Sequence, residues 1–145
     1  MKRIVVGVDG SDGATAALRW ARDLAAQVGA ELEVVNGWQL TPGGVDQASV
    51  PDLDQRRGQV EEGAREIVDQ ALSAAGAVAP DGVLVLKTVA EGSPESVLLE
   101  RARDADLLVV GSGRRGGSAG VVLGSVSRQV VDRATVPVTV IPHTG

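Results

Sequence analysis

At 145 residues without a cysteine, the chain can bury one core unaided, and disulfide frameworks, Cys-ligated zinc, iron–sulfur clusters and thiol nucleophiles are excluded. A net charge of -5, no Phe or Tyr, and only Trp20 and Trp38 leave neither the cationic surface nor the stacking platform that nucleic-acid binding needs. The apolar run of MKRIVVGVDG is too short for a signal peptide or a membrane span, so a soluble, cytoplasmic protein that binds no membrane is expected.

In chain order, RIVVGV (3–8) is a β-branched run closed by Asp9-Gly10-Ser11, which predicts a buried strand leading into a helix cap. Ala17, Leu18, Ala21, Leu24, Ala25 and Val28 recur at helical spacing until Gly29 stops the helix. ELEVVNGW (31–38) reads as a second strand, followed by a Pro- and Gly-containing loop. A longer helix then runs from about 52 to 75, with Val60, Ala64, Ile67, Val68, Ala71 and Leu72 on one face. VLVLKTV (83–89) is the third strand. Ser93 caps a helix with Pro94 at its first position, and that helix runs to about residue 103. ADLLVVG (105–111) is a fourth strand, apolar throughout as befits one covered on both faces. A last helix begins near Ser125, and PVTVIP (137–142) is the fifth strand.

Five strands alternating with four helices predict an α/β fold: a single domain over 1–145, with an open five-stranded parallel sheet and helices on both faces. In strand order 3-2-1-4-5 the winding reverses between strands one and four, and ligands of such sheets bind at that reversal, beyond the carboxyl ends of the strands. Those two strands end in Gly7-Val8-Asp9 and Gly111-Ser112-Gly113.

Gly111, Gly113 and Gly116 spell GxGxxG, but a dinucleotide fingerprint belongs to the first βαβ unit, with an acid at the end of the next strand. Here the glycines follow the fourth strand, Asp132 falls inside the next helix, and the fifth strand ends in Ile141-Pro142-His143. A Walker A loop is excluded because no Gly-Lys-Ser/Thr occurs. What remains is a loop from Gly111 to Gly124-Ser125, with Arg114 and Arg115 within it, entering a helix whose early residues include Ser127. Free backbone N–H groups, the positive helix end and serine hydroxyls suit a phosphate; a surface loop with Ser125 as an ordinary cap is the other reading.

IVVGVDGS, DADLLVVGS and GSVSRQVVDRATVPVTVIP, together with this glycine frame, resemble the universal stress protein family over essentially the whole chain. Its nucleotide-binding members carry Gly, two residues, Gly, nine residues, then Gly followed by Ser or Thr. Gly111, Gly124 and Ser125 fit that frame, whereas the middle glycine is Arg114, with glycine at 113 instead. If residue 114 needs a left-handed conformation or a close phosphate, arginine is costly there; alternatively the loop shifts by one residue and Arg114 supplies a charged contact.

The resemblance implies an adenine-nucleotide α-hydrolase-like fold that binds ATP, with Mg2+ as a companion ion. The adenine is expected near Val8, Asp9 and the backbone of Gly37. The ribose and phosphates are expected along Gly111, Ser112, Gly113 and Arg114, and along Gly124, Ser125, Val126 and Ser127. Asp9 also reads as a capping carboxylate, Gly37 as a turn glycine, and Trp38 as core at the pocket rim rather than a base-stacking ring. His143, near the C-terminal end, is no catalyst, so a stress-response regulator rather than an enzyme is implied, with any ATP hydrolysis slow and incidental. Nucleotide occupancy would alter a surface seen by a protein partner. A nucleotide-free dimerisation module is the alternative, and a transferase of the related hydrolase type lacks the further catalytic segments it needs. The family resemblance also implies a homodimer through 137–142, against which stand Pro137 and Pro142 flanking that strand.

Overall fold

A computed structural model describes residues 1–40, 50–76, 82–114 and 122–142. Along the chain these form β1 (Arg3–Gly7), α1 (Asp12–Val28), β2 (Glu31–Trp38), α2 (Val50–Ala75), β3 (Val85–Glu91) and α3 (Pro94–Arg101). They continue as β4 (Leu107–Gly111), β5 (Gly113–Arg114), β6 (Val122–Leu123), α4 (Ser125–Arg133) and β7 (Val138–Ile141). The main sheet is parallel in the order β3-β2-β1-β4-β7, the predicted 3-2-1-4-5 with its reversal between β1 and β4. An antiparallel pair, β5 with β6, was not legible in the sequence.

Alternation along the strands sends Ile4, Val6, Leu32, Val34, Leu107 and Val109 into a core that also takes in buried residues of α1 and α2. Val5, Val35, Leu108 and Val110 join α3 and α4 in a second core on the other face. Ala14, Ala17, Ala21 and Ala25 face the first core, so α1 meets the sheet with little bulk between them. Gly29, at φ 72°, ends α1 in the left-handed conformation that glycine adopts at least cost.

Two buried positions of β2, Glu33 and Asn36, break the apolar rule, and Glu33 carries a charge. Glu33, in β2, is fully buried, and its carboxylate accepts from Arg3 of β1, from Arg101 Nε of α3 at 2.6 Å and from Thr88 Oγ1 of β3 at 2.6 Å. Burial pushes this carboxyl up, but the bonds from Arg101, Thr88 and Arg3 outweigh it and hold Glu33 below the usual carboxylate range.

β3 lies two residues later than its apolar run suggests. Its ladder with β2 starts at Leu32 opposite Val85 and continues to Trp38 opposite Glu91, so pairing rather than hydropathy sets its ends. Among the described residues no helix is long and apolar enough to cross a membrane.

Candidate functional site

Where the crossovers diverge between β1 and β4, a cavity of about 340 Å³ opens at the carboxyl ends of the strands. Gly7, Val8 and Asp9 enter it from the end of β1, Val35 and Gly37 from β2, and Val110 and Gly111 from β4. Three helix starts complete the wall: Ser11 and Ala14 at α1, Pro94 and Leu98 on α3, and Gly124, Ser125, Val126 and Ser127 at α4.

Two of the glycines allow helices to close on the strand ends. A Cβ on Gly37 would stand 3.0 Å from Pro94 Cα and from Val97, so glycine here seats α3. A Cβ on Gly111 would stand 2.7 Å from the Gly13 carbonyl oxygen, so glycine there seats the first turn of α1. Gly37 lies within β2, opposite Ala90, and is not a turn residue.

The helix starts of α1 and α4 differ in how their N–H groups are used. At α1, Ser11 is the cap: its Oγ accepts from Ala14 N, and its own N–H and hydroxyl donate to Asp9 Oδ1 at 2.9 and 2.5 Å. Asp9 therefore holds the capping serine instead of capping the helix itself, and it is exposed at the cavity. At α4 the cap is Gly124, which has no side chain to offer, and its N–H donates to the Ser112 carbonyl at 2.7 Å. The first-turn N–H groups of Ser125, Val126 and Ser127 thus have neither an intrahelical acceptor nor a side-chain cap. The buried Ser127 hydroxyl donates to the Gly111 carbonyl at 2.6 Å, tying α4 to the end of β4 rather than serving as a spare donor.

A second set of polar groups comes from the strand ends. Even-numbered residues of β2 bond to β3, as Leu32 N to Leu84 O and Gly92 N to Trp38 O record, and odd-numbered residues bond to β1, as in Glu31 N to Lys2 O and Val8 N to Val35 O. β1 ends at Gly7, so the N–H and C=O of Gly37 point past its last rung into the cavity wall.

Of the predicted positions, Val8, Asp9, Gly37, Gly111, Gly124, Ser125, Val126 and Ser127 line this one cavity. Ser112 is buried beneath it, donating its N–H to Ile141 O. Gly113 and Arg114 lie in β5, opposite Leu123 and Val122. Among the described residues only glycines have positive φ, so the extended Arg114 carries no left-handed strain. Trp38, expected at the pocket rim, does not line the cavity. Gly116, Arg115 and His143 lie outside the described residues. Sequence reading placed Gly7 at the reversal but missed Ser11, Ala14, Val35, Pro94, Leu98 and Val110. The Ser93-Pro94 helix start was the available signal for α3, since every strand-to-helix junction of such a sheet opens on this rim.

A profile described as the universal stress protein family matches residues 1–142. A universal stress protein of Mycolicibacterium smegmatis is 35% identical over 138 residues, which cover 95% of this chain and 45% of the relative. The chain spans somewhat under half the length of the curated relatives it matches. Among solved structures, a universal stress protein in complex with cAMP is 29% identical, with a TM-score of 0.67 and coverage of 99% of this chain and 98% of that one. The universal stress protein from Archaeoglobus fulgidus in complex with dAMP is 25% identical, with a TM-score of 0.57 and coverage of 97% and 98%.

Proposed function

This chain belongs to the universal stress protein family, and on that premise we propose that it is an ATP-binding regulator of the stress response, signalling through nucleotide-dependent loop conformation rather than catalysis. The observation that carries the reading is the contrast between the starts of α1 and α4 around the cavity. The first is filled by its own serine and carboxylate, while the second presents three unpaired N–H groups and the positive end of the helix. Phosphate belongs at α4. The base belongs at the other end, among Val8, Val35 and Leu98, where the free backbone edge of Gly37 supplies one donor and one acceptor. The cAMP and dAMP complexes of the two relatives support an adenine nucleotide in this cavity.

A triphosphate would extend from α4 along the end of β4, with Gly111, Ser112, Gly113 and Arg114 at its border. Mg2+ would be carried by phosphate oxygens and water, because the described residues contain no group of three or more metal-ligating side chains. Among the described residues the cavity wall has one carboxylate, Asp9, and it is engaged with Ser11, which fits binding better than turnover. A cytoplasmic location accords with a chain that has no cysteine.

Calorimetric titration with ATP is the test. Wild type is expected to bind at millimolar concentrations or below, and Gly124→Val, which places bulk at the start of α4, is expected to abolish binding. Silence of both wild type and Arg114→Gly would sink the nucleotide reading. If Arg114→Gly alone binds, the site has decayed at that one position.

The partner we propose is a second copy, joined through β7. Leu108 N and Ser112 N donate to Pro137 O and Ile141 O, so odd residues of β7 bond inward and Val138 and Val140 turn their N–H and C=O outward. Antiparallel pairing about Thr139 sets Val138 opposite the second copy's Val140 and satisfies all of these groups. Pro142 has no N–H to extend the edge, and a ligand-sensitive surface beside it would be read by a further protein. In sedimentation, wild type is expected to be a dimer and Val140→Pro, which removes only an outward donor, a folded monomer. A monomeric wild type would refute the pairing.

A further inference from the structure

Continuing the β1–β2 ladder by one rung would join the Gly37 N–H to the Val8 carbonyl, because Val8 N already donates to Val35 O at 3.0 Å. That bond is not made. The Val8 carbonyl instead accepts from Asn36 Nδ2 at 2.8 Å, from a side chain that is only 7% exposed and lies outside the cavity wall. A carbonyl oxygen only accepts, so Asn36 must present its NH2 here.

We infer that Asn36 is a positioning residue for base recognition: by drawing the Val8 carbonyl to itself, it keeps the Gly37 N–H free for a ring-nitrogen acceptor of the nucleobase. The inference rests on the nucleotide reading above and adds to it the residue that keeps the base-reading donor free. An outward N–H beside an outward C=O matches a base edge that offers an acceptor ring nitrogen next to an exocyclic amino donor, as adenine does at N1 and N6. Hypoxanthine offers the reverse, a ring N–H beside a carbonyl oxygen, and would set donor against donor and acceptor against acceptor. A site with committed hydrogen-bonding groups rejects such a mismatch because its own groups are left unpaired. Without the Asn36 amide, the Val8 carbonyl would be free to accept from Gly37 N–H, adding the missing rung and closing the donor to ligand.

Two measurements test this. In nucleotide-free wild type, hydrogen exchange by NMR should find the Gly37 amide fast between the protected amides of Val35 and Trp38, and slowed in Asn36→Ala. A protected Gly37 amide in wild type would overturn the inference without any variant. Calorimetry with AMP, IMP and ribose 5-phosphate gives the second readout. Wild type should prefer AMP to IMP by about ten-fold or more, the free-energy scale of one to two hydrogen bonds. Asn36→Ala and the shape-conserving Asn36→Asp should collapse that ratio toward one while leaving ribose 5-phosphate binding unchanged. An AMP/IMP ratio that survives both substitutions overturns the role of Asn36 and leaves the nucleotide reading standing. A wild type that binds none of the three overturns the nucleotide reading and the inference with it.

Discussion

Gly111→Ala places a methyl group where the structure leaves no room. Its Cβ would meet the Gly13 carbonyl oxygen at 2.7 Å, the Gly13 carbonyl carbon at 2.8 Å and Ala14 N at 3.2 Å. All three are backbone atoms of the first turn of α1, so no side chain can rotate aside and the helix start must move. Overpacking of this kind costs about 1–3 kcal/mol. For a chain of this size, at about 2–4 °C of melting temperature per kcal/mol, thermal denaturation should record a drop of about 3–10 °C. The displaced turn carries Ala14 and follows Ser11, both in the cavity wall, so nucleotide affinity should fall as well. A variant that melts within about 1 °C of wild type would mean that α1 yields at negligible cost, contrary to close packing in protein interiors. An unchanged affinity in a destabilised variant would mean that the α1 start takes no part in binding.

Gly63→Ala is the counterpart. Nothing lies within 4 Å of the new Cβ inside α2, so the lower unfolded-chain entropy should raise stability by about 0.5–1 kcal/mol in the same assay; a loss would refute the open surface there. Ser127→Ala deletes a buried bond to the Gly111 carbonyl at 2.6 Å and should cost about 1–3 kcal/mol in denaturant titration, with weaker phosphate binding as α4 loosens. The Glu33 carboxyl is held below its ordinary value when folded, so its contribution is complete above the unfolded value of about 4.3 and is lost as pH falls through the folded one. Glu33→Gln should therefore destabilise the protein at neutral pH and flatten the acid limb of a stability-against-pH curve. An acid limb unchanged by the substitution would remove Glu33 from the account.

Where local pattern decides structure, the sequence was legible. The apolar runs of β1, β2 and β4, the Ser11 and Gly29 signals of α1 and the alternation of strands and helices led to the observed sheet order. Gly111, Gly124 and Ser125 of the glycine frame line the cavity. What could not be read depends on residues brought together from afar. Glu33 sits in an alternating strand whose polar positions would ordinarily face water. It is buried because Arg101, which lies 68 residues away, and Thr88, at 55, converge on it. Gly37 reads as a turn signal after Asn36, but it is a strand residue that seats Pro94 and Val97. The β5–β6 ladder is two residues long on each side, too short for any periodicity to register.

The two margins of the sheet are unequal, and that inequality limits how far the molecule can grow by strand addition. On β3, Lys87 and Glu91 are exposed and held in ion pairs with Asp69 and Arg57 of α2, so an incoming strand meets charge along a seven-residue border. On β7 the uncharged outward groups belong to two residues and stop at a proline. If β7 pairs as proposed, one such margin gives a valence of one: the pair closes, and strand addition offers no place to a third subunit. The same edge that would recruit a second copy would thereby stop a filament built by strand addition.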